Sequence, residues 1–215
     1  MTTHRSFTVI VLAITTMGKP VRSQAQEWEA AGAGVITHQQ TSTSVIANET
    51  AGSADLMLTR YQSSSSWVLH LEASSSLDAQ KVASNLPEAN TDAGSALNKD
   101  SKGRLQLSEL YYQYRFSSTQ QISVGLLDMS GFFEQSRIAS DETTQFLGTY
   151  FTGNPLIEFQ DYTLGMVYEH ELVKDVALRA AVSSSNGLAD NSTRSYNDVL
   201  SITELEKGVF AITSL

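Results

Sequence analysis

The feature that most constrains the fold is a set of short segments in which apolar and polar residues alternate. In residues 110–116 the apolar side chains occupy every second position, and residues 121–128 repeat the pattern after a short turn. Side chains alternate between the two faces of a strand, so each segment predicts a strand with one apolar and one polar face. Similar segments lie at 34–37, 55–61, 67–73, 162–169, 175–183, 199–203 and 209–213. The chain is therefore predicted to be all-β and antiparallel, built from hairpins.

The N-terminus predicts export. Residues 7–17 form an apolar stretch that is too short to cross a bilayer as a helix, and Lys19, Pro20 and Arg22 follow it. Ser23 and Ala25 are small residues at the positions that a signal peptidase recognises. We therefore expect a signal peptide over 1–25 and a mature β-domain over 26–215.

Charge and cysteine content restrict the partners and the compartment. The full chain has a net charge of −9, and residues 1–25 carry three basic residues and no acid, so the remainder carries −12. A surface this acidic repels nucleic acid, which excludes a nucleic-acid partner. The chain has no cysteine, so disulfides cannot stabilise it outside the cell.

The lengths of the connections distinguish two architectures, a soluble sandwich with an apolar core and a membrane barrel with an apolar outside. Long polar loops at 76–103, 128–161 and 186–197 alternate with short turns. Outer-membrane barrels have this asymmetry between their two ends, whereas loops of about thirty residues are rare in compact domains. We therefore expect an antiparallel transmembrane β-barrel, or the N-terminal half of one, with long external loops, in a bacterial outer membrane. Aromatics near the strand ends fit an interfacial girdle or a core cluster equally well.

No sequence motif predicts catalysis. The chain lacks a G-x-S-x-G elbow, a phosphate-binding glycine loop, an H-E-x-x-H pair and a calcium loop. Its histidines after the signal peptide, His38, His70 and His170, follow no ligand spacing. We therefore predict neither an enzyme, nor a cofactor, nor a metal site.

The polar strand faces give the candidate pore-lining residues. If the apolar faces, with Leu110, Val124 and Met166 among them, contact lipid, the opposite faces enclose a lumen. The predicted lining residues are His70, Glu72, Glu109, Tyr111, Gln113, Arg115, Glu169 and Arg179. Acids and arginines on facing walls would create a transverse electric field and bind polar solutes. Alternatively, the polar strand faces are the solvated surface of a soluble sheet. A bulge is expected near Ser108 and Glu109, because the apolar phase shifts there.

Residues 105–187 resemble the carbohydrate-selective porin family of bacterial outer membranes. The resemblance rests on the stretches 107–116, 122–172 and 176–187, with the segment DETTQFL at 141–147, the pair Asn154-Pro155, and a glycine-bearing strand at 162–168. It implies a water-filled barrel that passes sugars by diffusion and is narrowed by inward-folded loops. That family forms barrels of about sixteen strands, whereas eight or nine are predicted here. We therefore expect a barrel that is incomplete at the C-terminus.

The loop at 128–161 is the predicted constriction. Its aromatics can stack on sugar rings, and its charged residues can bond to hydroxyl groups; alternatively, the aromatics pack the loop onto the barrel rim. The residues concerned are Phe132, Phe133, Glu134, Arg137, Asp141, Glu142, Phe146, Tyr150 and Phe151.

The sequence therefore predicts a porin for the passive diffusion of carbohydrates or other small polar solutes. Its expected partners are those solutes and outer-membrane lipid, with a homo-oligomer as an option. A small barrel with a structural or adhesive role, and a secreted β-sandwich that binds a ligand or hydrolyses it, are the alternatives.

Overall fold

A computed structural model describes residues 28–42, 44–141, 145–154, 156–200 and 208–215. They form one eight-stranded sheet in which every strand pairs antiparallel with the next along the chain. The strands are β1 (Trp28–Gln39), β2 (Glu49–Tyr61), β3 (Ser65–Ser74), β4 (Leu105–Arg115), β5 (Gln120–Leu127), β6 (Thr163–Val173), β7 (Val176–Ser184) and β8 (Val209–Ser214). The all-β antiparallel prediction is confirmed, and the single sheet does not fit a two-sheet sandwich. The predicted signal peptide lies outside the described residues.

The sheet is open. Within the described residues, β1 and β8 are the two edges, and no pairing joins them. The structure therefore shows an antiparallel sheet but no closed barrel. Among these residues, no helix has the length and apolar character needed to cross a membrane.

The connections separate the two ends of the sheet. The segments 62–64, 116–119 and 174–175 are short and lie at one end, which we call the turn end. At the opposite end, the loop end, the connections 40–48, 75–104, 128–162 and 185–208 are longer. They contain α1 (Val82–Asn85), a 3-10 helix (Pro87–Ala89), α2 (Met129–Phe133), α3 (Thr149–Thr152) and α4 (Tyr196–Val199). The predicted alternation of short and long connections is confirmed.

The predicted strand at 199–203 is described only at its first two residues. Val199 ends helix α4 and Leu200 caps it, whereas residues 201–203 lie outside the described part of the chain. The side chain of Ser195 accepts a hydrogen bond from the backbone N–H of Asn197 and caps this helix. Val199 is buried against Leu126 and Leu188, so its apolar character serves packing between a helix and the sheet.

Register gives the sheet two chemically different faces. On one face an apolar row runs from β3 to β8, and each residue is the direct partner of the next: Trp67, Tyr112, Val124, Met166, Val182 and Ala211. Val124 is 47% exposed and Met166 39% exposed. We call this side the apolar face and the opposite side the polar face. The predicted alternation of the strands is the cause of this separation.

The bulge predicted near Ser108 is present. The pairing of β3 with β4 shifts between His70 and Leu71, where Glu109 and Leu107 are the successive partners on β4. Ser108 is the extra residue, and it is fully buried. The bulge keeps both Leu107 and Leu110 on the apolar face, although three positions separate them.

Two apolar clusters fix the long loops to the sheet. On the polar face, Leu127, Met129, Phe159, Val167 and Ala181 form a buried core. On the apolar face, at the loop end, Leu188 and Val199 pack against Leu126. Met129 and Phe159 of the loop 128–162 therefore cover part of the polar face, and Leu188 and Val199 of the loop 185–208 cover the apolar face near the loop end.

Candidate functional site

A cavity of about 700 Å³ lies between the polar face and the long loops. Strand β3 contributes Glu72, and the loops 75–104, 128–162 and 185–208 contribute the other walls. Its acidic residues are Glu72, Asp92, Asp128, Glu134, Asp141, Glu158, Asp161 and Asp190. Arg194 is the single arginine or lysine among the described lining residues. The cavity is therefore strongly acidic, which favours cations and hydroxyl donors over anions.

The first wall is positioned by helix α2. The carboxylate of Asp128 caps the helix by accepting hydrogen bonds from the backbone N–H and the hydroxyl of Ser130, both at 2.9 Å. Helix α2 then places Phe132 edge-on to Tyr111 of β4, with ring centroids 6.0 Å apart. Phe133 stacks on Phe159 at 5.9 Å. These ring contacts hold the start of the loop 128–162 against the polar face.

The second wall, the loop 75–104, is held by side chains of β1 and β2. Asn90 donates its amide N–H to the hydroxyl of Thr37 at 2.8 Å. The hydroxyl of Ser53 lies 2.6 and 2.7 Å from the two carboxylate oxygens of Asp92. Both contacts are buried or nearly so, and they place Asp92 at the cavity wall.

The two loops also bind each other. The backbone N–H of Thr91 donates to the carbonyl oxygen of Leu147 at 2.8 Å, and the hydroxyls of Thr91 and Thr149 are 2.8 Å apart. Two of the long loops that line the cavity are therefore directly connected.

Burial changes the acidity of the wall carboxyls. It raises the pKa of Asp92 to about 6, against the hydrogen bond from Ser53, which lowers it. Burial also raises the pKa of Asp128 well above its ordinary value, and the nearby carboxylates of Asp161 and Glu109 raise it further. The pKa of Asp190 is raised by burial too. Asp92 therefore gains its charge at mildly acidic pH, and burial disfavours the charged forms of Asp128 and Asp190.

The eight predicted lining residues all lie on the polar face, as the pairing of their strands requires. Near the middle of β3, the Nε2 atom of His70 is 3.1 Å from a carboxylate oxygen of Asp55, and its Nδ1 atom is 3.4 Å from Glu109. Glu72 is buried and accepts a hydrogen bond from the hydroxyl of Ser108. The sequence did not predict a metal site, yet ligand atoms of Asp55, His70 and Glu72 all lie within 4.8 Å of one another.

The remaining predicted lining residues form a second group toward the turn end. Glu169 bonds to Arg179 at 3.3 Å and accepts a hydrogen bond from Gln121 at 2.5 Å. Arg179 also donates to the side chain of Gln135 at 2.9 Å, whereas Arg115 is exposed. The two arginines of the set therefore lie near the turn end and most of the acids near the loop end. This separation runs along the strands. Charges on facing walls stay a prediction, because the described strands form one open sheet.

The predicted constriction residues divide into two groups. Phe132 and Phe133 pack on the polar face, and Glu134 and Asp141 contribute to the cavity wall. The second group is exposed and contains Arg137, Phe146, Tyr150 and Phe151, with the rings of Phe146 and Phe151 4.9 Å apart. Glu142 lies outside the described residues. That the loop narrows a channel stays a prediction.

Several acids that line the cavity were not predicted as site residues, including Asp92, Asp128, Asp161 and Asp190. They lie in loops, where no periodicity indicates direction, and Asp55 lies on a strand whose face was not assigned. Only the folding of the loops onto the sheet brings these groups together.

Comparison with known proteins assigns no family. No protein-family model matches the chain, and no solved structure matches it. An uncharacterized protein of Aquifex aeolicus (strain VF5) is 32% identical over 88 residues, which are 39% of this chain and 28% of that relative. The chain therefore covers less than a third of the relative's length.

Proposed function

We propose that this chain forms part of the wall of an outer-membrane β-barrel, through which carbohydrates and other small polar solutes diffuse passively. The observation that carries the proposal is the exposed apolar row from Trp67 to Ala211 on the apolar face, together with a polar, acidic opposite face. In water such a contiguous apolar surface is unfavourable, whereas lipid is its natural environment.

The strand lengths agree with this environment. Seven of the eight strands contain 8 to 13 residues, and a tilted transmembrane strand needs about 9 to 11. Near the turn end, aromatic residues mark the margin of the apolar face: the ring of Trp67 lies 5.1 Å from that of Tyr112, and the ring of Tyr114 lies 5.1 Å from that of Phe116. Such rings suit the interface between lipid and water.

The contents of the polar face favour a barrel of more than eight strands. The interior of a closed eight-stranded barrel holds packed side chains or one small ligand. Here helix α2, Phe159 and a cavity of about 700 Å³ lie against the polar face. We infer that further strands join the edges of β1 and β8, either from the same protein or from a second copy. Within the described part of the chain, β1 is a twelve-residue strand with a neighbour on one side, and such an edge invites pairing.

Hydroxyl-rich solutes suit the cavity. Carboxylates such as Glu134 and Asp141 in the cavity wall can accept hydrogen bonds from sugar hydroxyls. In the same loop, but outside the cavity lining, the exposed rings of Phe146, Tyr150 and Phe151 offer flat apolar faces to sugar C–H groups. Passage of this kind needs no bond-making step, and the proposed role is therefore transport by diffusion.

Three measurements test this function on the full chain. Membrane fractionation should recover the exported protein with the outer membrane, and an unheated sample should migrate differently from a boiled one on a denaturing gel. In planar bilayers, the purified protein should produce discrete conductance steps. Recovery in the soluble fraction would contradict the membrane location, and insertion without conductance would favour the structural or adhesive alternative.

A further inference from the structure

We propose that Asp55, His70 and Glu72 bind a divalent transition-metal ion, for which Zn²⁺ is the probe. Asp55 on β2 is the direct partner of Glu72 on β3, and His70 lies two positions before Glu72 on the same face. Their ligand atoms lie within 4.8 Å of one another. Zinc takes nitrogen and oxygen ligands at about 2.0–2.2 Å, so ligand atoms about 3–4 Å apart surround it. Small rotamer changes on a rigid sheet would reach that spacing.

The orientation of His70 favours a metal ligand. Glu109 on β4 is the direct strand partner of His70, and its carboxylate oxygen lies 3.4 Å from Nδ1 of His70. Nε2 of His70 lies 3.1 Å from a carboxylate oxygen of Asp55. A carboxylate on one ring nitrogen and a metal on the other is the usual environment of a metal-bound histidine, since the carboxylate fixes the tautomer. Glu72 is likewise held by the hydroxyl of Ser108.

Charge balance points in the same direction. Three carboxylates, those of Asp55, Glu72 and Glu109, surround the one imidazole, and Glu72 and Glu109 are 6% and 8% exposed. Buried carboxyl groups are paired with a cation, bound to a metal ion or protonated. A protonated His70 supplies one positive charge and is the rival explanation, whereas a bound dication supplies two.

The ligand set and its access select the type of metal. Ca²⁺ and Mg²⁺ bind oxygen ligands, whereas an imidazole nitrogen beside carboxylates suits Zn²⁺, Co²⁺ or Mn²⁺. Glu72 also lines the acidic cavity, so an ion can reach the site from the cavity. The bound ion would then keep one coordination position open for water or a solute. The inference does not depend on the proposed transport function, because it concerns groups on one face of the sheet.

Calorimetric titration tests the site on the full chain, folded, stripped with a chelator and free of any affinity tag. Zn²⁺ should bind with one ion per chain, and the apparent heat should vary with the ionisation enthalpy of the buffer, since His70 must bind as neutral imidazole. His70→Ala should weaken binding at least tenfold. His170→Ala is the matched control, because His170 lies near the turn end beside Gln120, and it should leave the affinity unchanged.

Two further measurements test the site even if His70→Ala fails to fold. Glu109→Gln retains all three ligands and should weaken Zn²⁺ binding about tenfold through loss of the orienting carboxylate. Ca²⁺ should bind much more weakly than Zn²⁺ to the unmodified protein. Absence of Zn²⁺ binding to the unmodified chain, or Ca²⁺ binding of equal strength, would overturn the proposal and leave His70 as a simple counter-ion.

Discussion

Met129 occupies the space that a side chain on Gly165 would need. A β-carbon built on Gly165 would lie 2.6 Å from Cε of Met129, 2.7 Å from Cβ of Ser183 and 2.9 Å from the carbonyl oxygen of Val182. Met129 is fully buried and begins helix α2. The absence of a side chain at Gly165 therefore allows the loop 128–162 to dock on the polar face of the sheet.

Gly165→Ala should lower the free energy of unfolding by about 1–3 kcal/mol, because the methyl group overpacks a site bounded by the backbone of β7. Denaturant unfolding measures the effect. Gly34→Ala is the control, since the nearest atom to its new β-carbon would be 3.7 Å away. Equal stability of the two variants would contradict the docking of Met129 over Gly165.

Val124→Arg tests the apolar face. If the position lies at the bilayer midplane, the arginine should destabilise membrane assembly by about 2–4 kcal/mol, because its charge would enter hydrocarbon. Gln113→Arg is the matched control on the polar face and should cost little while changing ion selectivity. Folding into vesicles, followed by gel shift, measures both. Equally mild effects would show that Val124 does not contact lipid.

Deletion of residues 146–151 tests the predicted constriction. Removal of the exposed rings of Phe146, Tyr150 and Phe151 should raise single-channel conductance and weaken the block of current by added sugar. Arg137→Ala, an exposed change elsewhere in the same loop, should have a smaller effect on both quantities. If the deletion variant has the same single-channel conductance and the same block by sugar as the unmodified protein, the loop supports the barrel rim and does not narrow the channel.

Asp92 makes stability depend on pH. Its pKa is raised from 3.8 to about 6, so between these values the folded chain binds more protons than the unfolded chain does. The contribution of Asp92 therefore decreases stability as pH rises from about 4 to 6, by up to about 3 kcal/mol. In Asp92→Asn this decrease should disappear. The exposed Asp100→Asn should retain it in parallel unfolding measurements at several pH values, and identical pH profiles for the two variants would contradict the assignment.

The sequence alone determined the strands and the chemistry of their two faces. Alternation in residues such as Leu110, Tyr112 and Val124 requires one apolar face per strand, because neighbouring side chains point to opposite sides. Even the bulge at Ser108 was predictable, since the apolar phase changes there. The alternation of short and long connections followed from turn residues that are local in sequence.

Only the tertiary structure decided where the loops go and which acids meet. Asp55, Glu72, Asp92 and Asp128 lie on different strands and loops, and no local pattern brings them together. Asp55 and Glu72 meet because the register of β2 and β3 pairs them. Asp92 and Asp128 approach them through the contacts of Asn90 and Asp92 with β1 and β2 and through the docking of α2 over Gly165. Val199 is a further example, because a short apolar segment fits a buried helix as well as a strand. Packing against Leu126 and Leu188 places Val199 at the end of helix α4.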